Sequence, residues 1–280
     1  MSVAESDWAA AVQLLSTYDD VALACHVGPD GDALGSMLGL GLALRAAGKK
    51  VAASFGSEPF EVPVPYRSLP GQDLLVPAEA VPEAPGLLIT FDTGSVDRLG
   101  SLASRVDSAK DVLVLDHHVT NTRYGTVNVV DEQAAATAVV VLDLIDRLGL
   151  ALTAEVAAPL YTGLITDTGS FKYAATTPAV HEIAGRLLAT GIRHDVISRE
   201  IWDTASFGYV KMLGLVCARA VLEVDEVGGL GLALTMLEGK WEVGQNRSEA
   251  DRRGMLAGLE AQGDEASMGL AALVRESLGG

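Results

Sequence analysis

The sequence predicts an α/β fold: a mainly parallel sheet with helices on both faces, a helical linker, and a smaller α/β C-terminal domain that is only partly built. Three observations carry this. Apolar runs of strand length alternate with helical patterns through the first half of the chain. The runs are continuous rather than alternating, as expected of strands covered on both faces. Acidic and histidine residues recur where the runs end, the edge at which open parallel sheets bind ligands.

The first strand is Val21 to Cys25 (VALAC), followed by a loop at Gly28 to Gly31 and a helix from Asp32 to Gly48. Lys50 to Phe55 resumes as a strand, and Gly86 to Phe91 (GLLITF) and Asp111 to Leu115 (DVLVL) are two more. The proline-rich stretch between Glu58 and Pro85 lacks periodicity and reads as a long irregular surface connection. From Glu132 to Ala220 the pattern is mostly helical, with breaks at Gly149, Gly169 and Gly191 and a helix start at Thr177-Pro178. Val221 to Val227 and Leu230 to Leu237 read as paired strands. A polar helix over Ser248 to Gln262 and a strand over Met268 to Val274 follow. The domain boundaries expected from these shifts are 1–204, a linker helix over 205–222, and 223–280.

With 280 residues, 49% hydrophobic and 20% charged, the chain has enough apolar material for a sizeable core. Its formal net charge of -17 argues against binding duplex DNA through a basic surface. A nucleotide substrate remains compatible, because bound cations reverse the local sign of a carboxylate cluster. Cys25 and Cys217 lack metal-type spacing, so a reducing compartment is expected. The N-terminus has Glu5 and Asp7 and no basic segment, unlike a secretory signal, and the longest apolar run ends at Arg45. These features predict a cytoplasmic protein with no membrane partner.

The chemistry is concentrated in four places. His26, Asp30 and Asp32 follow the first strand, Asp92 follows GLLITF, Asp116-His117-His118 follow DVLVL, and Asp167 lies within a helical TGLITDTGS. Singly, each carboxylate is explained as a helix cap or a turn residue. Together they would repel one another at one sheet edge unless cations were bound. Mixed carboxylate and imidazole ligands suit manganese better than a thiolate zinc site, with magnesium or iron as weaker alternatives.

HVGPDGDALGS, FDTGS, LDHH and LITDTGSF resemble the four motifs of the DHH phosphoesterases, in family order and over residues 8 to 222. Within that family the chain resembles the bacterial oligoribonuclease and 3′-phosphoadenosine-5′-phosphate (pAp) phosphatase branch, some members of which also degrade cyclic di-AMP. The resemblance implies hydrolysis of phosphate esters in short oligoribonucleotides, pAp and related di-adenylates by a two-manganese homodimer. It assigns His26 and Asp30 to one ion, Asp32, His117 and Asp167 to the other, and Asp92 to both. His118 would face the scissile phosphate or leaving oxygen, with Asp116 behind it orienting a histidine. Asn121, Arg123, Lys172 and Tyr173 are candidate substrate contacts, although a turn and a surface position explain them as well. His181 and His194 match no motif and read as structural, Cys25 as an inert buried thiol, and Trp8, Trp202 and Trp241 as packing.

The resemblance also implies a second domain with a Gly-Gly-Gly-His loop, and no such run of residues occurs here. Two alternatives remain. A manganese pyrophosphatase would need a strongly basic second domain, whereas residues 223–280 hold Lys240, Arg247, Arg252, Arg253 and Arg275 against more acids. A non-catalytic nucleotide-binding module would be expected to have lost a ligand, and every ligand position keeps a competent side chain.

Overall fold

Continuous apolar strands leave no polar face for water, so the sheet must be sandwiched. The computed structural model describes residues 3–204, 207–218, 221–224 and 230–233. Five parallel strands, β1 (Asp20–Cys25), β2 (Lys50–Phe55), β3 (Leu87–Phe91), β4 (Asp111–Asp116) and β5 (Val127–Val130), pair in the order β2-β1-β3-β4-β5. In such an order the chain reverses its direction of winding between β1 and β3, which opens a crevice at their carboxyl ends. The strands with acidic and histidine ends, β1, β3 and β4, are therefore neighbours.

Alternate strand residues feed two cores. Val21, Leu23, Leu87, Ile89, Leu113 and Val129 point into the larger one. It is covered by α1 (Glu5–Thr17), α2 (Gly31–Ala46), α4 (Thr137–Arg147), α5 (Ala154–Asp167) and α6 (Pro178–Leu188). Ala22, Ala24, Leu88, Val112, Val114 and Val130 point to the smaller core. There the cover is a set of 3-10 turns, Val96–Leu102 with Leu99 and Leu102, and the five-residue α3 (Ser104–Ser108). Both faces are covered, but only one by long helices. α7 (His194–Trp202) follows α6.

α2 is buried almost all round, which fits its sequence GDALGSMLGLGLALRA: it lies between the sheet and α5. Gly31, Gly35 and Gly39 form a seam against α5. A Cβ on Gly35 would stand 2.3 Å from the Pro159 carbonyl oxygen, and one on Gly39 2.6 Å from Leu160. Only glycine lets the two backbones approach so closely.

Besides the short segments Val96–Leu102 and α3, the structure adds α1 and β5 to the predicted elements and changes one stretch. α1 was not anticipated, although Trp8, Ala11 and Leu15 carry a helical spacing and are its buried face. Arg147 pins it, with a bidentate pair to Glu5 at 2.8 and 3.0 Å and its guanidinium 4.5 Å from the Trp8 ring centre. β5 is only four residues, too short for a sequence pattern. The stretch Glu58 to Pro85 is more than a surface connection: it contains three short 3-10 turns and buries Leu69, Leu74 and Val81.

Contacts divide the chain into two units, Met1–Asp203 and Thr204–Gly280. In the second, α8 (Phe207–Ala218) is helical, and β6 (Val221–Val224) pairs antiparallel with β7 (Leu230–Ala233). The expected polar helix over 248–262, the strand over 268–274 and Trp241 lie outside the described residues. Among the described residues no helix is long and apolar enough to cross a membrane.

Candidate metal centre

β1 ends by delivering His26, and α2 begins immediately after Asp30. Asp30 uses one oxygen as the helix cap, Oδ1 accepting from the backbone N–H groups of Asp32 (3.1 Å) and Ala33 (3.0 Å). Its Oδ2 is left 3.8 Å from His26 Nε2. The cap and the candidate ligand are thus one residue with its two oxygens divided.

Asp32, fully buried, is held by α4. Its Oδ2 accepts from Thr137 N at 2.6 Å, and its Oδ1 accepts from Ala138 N at 2.9 Å and from the Ser36 hydroxyl at 3.1 Å. The N-terminal dipole of α4 therefore faces this carboxylate. Asp92 sits at φ 53°, a left-handed conformation that aspartate tolerates better than most residues, and its N–H still donates to Leu115 O at 3.0 Å. Asp92 Oδ2 lies 3.5 Å from His26 Nε2, while Oδ1 lies 3.6 Å from His117 Nε2 and accepts from the Thr137 hydroxyl at 2.9 Å. One carboxylate therefore spans two clusters. Asp167, at the C-terminal end of α5, completes the second with Oδ2 3.2 Å from His117 Nε2.

The two histidines are oriented by the same device. His26 Nδ1 meets Val27 O at 2.9 Å and His117 Nδ1 meets Ala134 O at 3.1 Å. A carbonyl only accepts, so Nδ1 must donate, and in the neutral ring Nε2 keeps its lone pair. Both Nε2 atoms face carboxylates, the arrangement usual in metal-binding imidazoles.

Three sets of potential ligand atoms lie within 4.8 Å of one another among the described residues: His26, Asp30, Asp92; Asp32, His117, Asp167; and Asp92, His117, His118. His118 differs from the other two because the nitrogen it turns toward Asp92, Nδ1, is the one already engaged by Asp116 Oδ1 at 2.8 Å. The structure thus brings His26 and Asp30 together with Asp92, and Asp32 together with His117 and Asp167. Carboxylate oxygens and imidazole nitrogens without sulfur fit hard or borderline divalent ions.

The electrostatics of the cluster also fit a cation. Burial, with the charges of Asp92 and Asp167, pushes Asp32 well above the usual carboxylate range. Burial raises Asp167 to about 6, with His117 pulling the other way. Burial would raise Asp92 too, but the His26 hydrogen bond and the His117 and His118 charges hold it below its ordinary value. His118 is raised to about 9, chiefly by its bond to Asp116. These carboxylates take histidines as ion-pair partners.

The triplet after β4 is organised around Asp116, which is fully buried. Its Oδ1 accepts from His117 N (2.7 Å), His118 N (3.1 Å) and His118 Nδ1, and its Oδ2 accepts from Asn121 Nδ2 at 2.5 Å. Asp116 thus lies beneath the site and reaches it through His118, whose ring is 44% exposed. Asn121, expected as a substrate contact, is turned inward. Its amide also donates to Thr93 O at 3.2 Å and its Oδ1 accepts from Arg123 N at 2.7 Å.

The remaining candidate contacts are at the surface. Arg123 (φ 52°) is exposed and lies 3.7 Å from Glu132. Lys172 is exposed with its ammonium 5.9 Å from the Trp202 ring centre. Tyr173 is 59% exposed and its ring rests on Gly169, where a Cβ would come within 2.4 Å of it. Trp202 is half exposed rather than packed, whereas Trp8 and Cys25 are buried as expected. His181 is exposed, 5.1 Å from the Phe171 ring, and His194 begins α7. Sequence reasoning missed Thr137, which supplies both a hydroxyl to Asp92 and an N–H to Asp32. Its one signal is its place as the first residue of an apolar helix.

An open parallel sheet with this Asp/His centre at the carboxyl ends of β1, β3 and β4 defines a scaffold for cation-assisted chemistry on anionic substrates. The family profile "DHH family, N-terminal domain" matches residues 20–164, and the chain belongs to the DHH family. A bifunctional oligoribonuclease and PAP phosphatase of Thermus thermophilus is 41% identical over 199 residues, covering 69% of this chain and 57% of the relative. A protein of the same name from Bacillus subtilis is 26% identical over 257 residues, covering 89% of this chain and 78% of the relative. The chain thus spans 57% of the length of the Thermus relative. Among solved structures, an exopolyphosphatase-related protein of Bacteroides fragilis superposes with a TM-score of 0.72 at 24% identity. That match covers 79% of this chain and 67% of the other, and it shows the shared fold.

Proposed function

We propose that the chain hydrolyses phosphate esters of small nucleotides, short oligoribonucleotides and pAp foremost, with two divalent ions, manganese by preference. The observation that carries this is the division of Asp92, whose two oxygens face two separate sets of ligand atoms. His26 and Asp30 would hold one ion, Asp32, His117 and Asp167 the other, and Asp92 both. Bound there, the ions would supply Lewis acidity toward a phosphoryl oxygen and lower the pKa of water.

The rest falls to side chains of the chain itself. His118 presents Nε2 outward while Nδ1 stays on Asp116, so it can hand a proton to the oxygen that leaves phosphorus. Water adds to phosphorus as the ester P–O bond breaks, and that proton ends on the released hydroxyl. Tyr173 and Lys172, exposed at the turn after Asp167, would meet a base and a phosphate in this reading. Two cysteines without metal-type spacing, Cys25 and Cys217, support a reducing cytoplasmic setting, and the family resemblance supports a homodimer.

The test is product analysis with Mn²⁺ and, separately, a linear diadenylate, pAp, cyclic di-AMP and pyrophosphate. Cleavage of a nucleotide, silenced by chelator and by Asp92→Asn, is the expected outcome, with losses of 10³-fold or more on the order seen for direct participants in charge stabilisation. Turnover of pyrophosphate alone would move the activity to a pyrophosphatase. Binding of a nucleotide without turnover would move it to a binding module.

A further inference from the structure

We infer that Asn121 is a positioning residue for His118, acting through Asp116, and not a substrate contact; this rests on the proposed role of His118 at the leaving oxygen. Asp116 is fully buried and carries its load unevenly. Oδ1 receives three donors, two backbone N–H groups and His118 Nδ1, whereas Oδ2 receives Asn121 Nδ2 at 2.5 Å. Without that donor, half of a buried carboxylate would face no hydrogen, a state proteins avoid. Rotation of the carboxyl to recover a partner would move Oδ1 away from His118.

Asn121 can do this because its own orientation leaves no choice. Asp116 Oδ2 and Thr93 O both accept, so the NH₂ end must face them, and Arg123 N–H must meet the carbonyl end. Its backbone N–H returns to His118 O at 3.1 Å. Thr93 is the residue after Asp92, and its carbonyl is also 3.2 Å from the Tyr124 hydroxyl, which lies 2.7 Å from Thr90 Oγ1. The Asn121 amide thus ties the end of β4, with its Asp-His-His run, to the end of β3, with Asp92. The position of His118 relative to Asp92, 3.5 Å from Nδ1 to Oδ1, is set across this tie.

The test uses the full chain with Asn121→Ala and Asn121→Leu. The second keeps the approximate volume while removing the donor toward Asp116, so it serves if the cavity left by the first impairs folding. Kinetics on whichever nucleotide the wild type cleaves should show kcat lower by about 10–100-fold, the usual cost of losing such support. KM and the Mn²⁺-induced thermal shift should be retained. In proton NMR of the metal-free protein, the hydrogen-bonded His118 Nδ1–H, assigned by its loss in His118→Gln, should broaden or move in both variants. A raised KM with intact kcat would make Asn121 a substrate contact and overturn the inference. Loss of the Mn²⁺-induced shift together with kcat would overturn it too, since the residue would then support the whole centre. An unchanged Nδ1–H signal would also overturn it. The NMR arm needs no substrate, so it decides this point even if no nucleotide is cleaved.

Discussion

Asp32 and Asp167 face the same histidine but are held in opposite ways. Asp32 accepts from two backbone N–H groups and a hydroxyl in a fully buried position, while Asp167 is 29% exposed and has His117 as its ion-pair partner. Asp32→Asn would turn an NH₂ against donors that need an acceptor, so it should destabilise the metal-free protein by about 1–3 kcal/mol. Asp167→Asn removes a charge that burial and Asp92 already disfavour, and should leave metal-free stability unchanged or raised by a few tenths of a kcal/mol. Both should weaken Mn²⁺ binding, so urea unfolding without metal, beside a Mn²⁺ titration, distinguishes the two. Equal loss of stability would mean that the α4 N-terminus contributes nothing to holding Asp32. The clustering was legible in the sequence, because carboxylates that caps and turns explain singly would repel one another when gathered at one sheet edge. The inward turn of Asn121 was not, since its spacing from Asp116 says nothing about where the amide points. Nor was the split of Asp30 between cap and site, because either role alone accounts for the residue.

At the scale of elements, α2 carries Asp30 and Asp32 at its start and α5 carries Asp167 at its end, so their seam sets the second cluster. On Gly35→Ala the new methyl meets backbone atoms, Pro159 O at 2.3 Å and Gly163 N at 3.0 Å, and the helices must part. A loss of about 1–3 kcal/mol is expected, together with weaker Mn²⁺ binding. Gly185→Ala is the control: α6 is helical there and nothing lies within 4 Å of the new methyl. It should raise stability by about 0.5–1 kcal/mol. Thermal unfolding of both variants checks the pair, and a neutral Gly35→Ala would show that the seam has slack. Strands β1, β3 and β4 were legible because each is a largely continuous apolar run, and β2 (KVAASF) because it follows the break at Gly48. β5 was not: Asn128 interrupts its four residues to bond Gly125 at N and O, 3.0 and 2.9 Å away. The short turns of the second face escaped for a similar reason, since Val96–Leu102, interrupted at Gly100, and the five-residue α3 are too short to repeat a hydrophobic pattern.

For the whole molecule, the question is why a chain of net charge -17 gathers carboxylates at one sheet edge. Solubility does not require it, because surface acids disperse their charge into water, whereas Asp32 and Asp92 are withdrawn from it. Placing them together is unfavourable in the metal-free protein and favourable once cations neutralise them. Divalent cation should therefore act as a folding ligand. At a free concentration 100 times Kd the gain is about 2.7 kcal/mol for one site. In a unit the size of Met1–Asp203, that corresponds to a rise in Tm of roughly 5–11 °C, at 2–4 °C per kcal/mol. Mn²⁺ should give the larger rise, because two imidazoles favour it over Mg²⁺ and Ca²⁺, which prefer oxygen-only sites. Asp92→Asn should shrink the rise more than loss of any ligand that serves one cluster. Sodium chloride at matched ionic strength should not reproduce it, since general screening acts on exposed charges and leaves buried ones largely untouched. Scanning calorimetry across these salts checks this without any substrate. A shift that ionic strength alone explains would mean the cluster is held by hydrogen bonds and histidines, and that its carboxylates do not gather an ion.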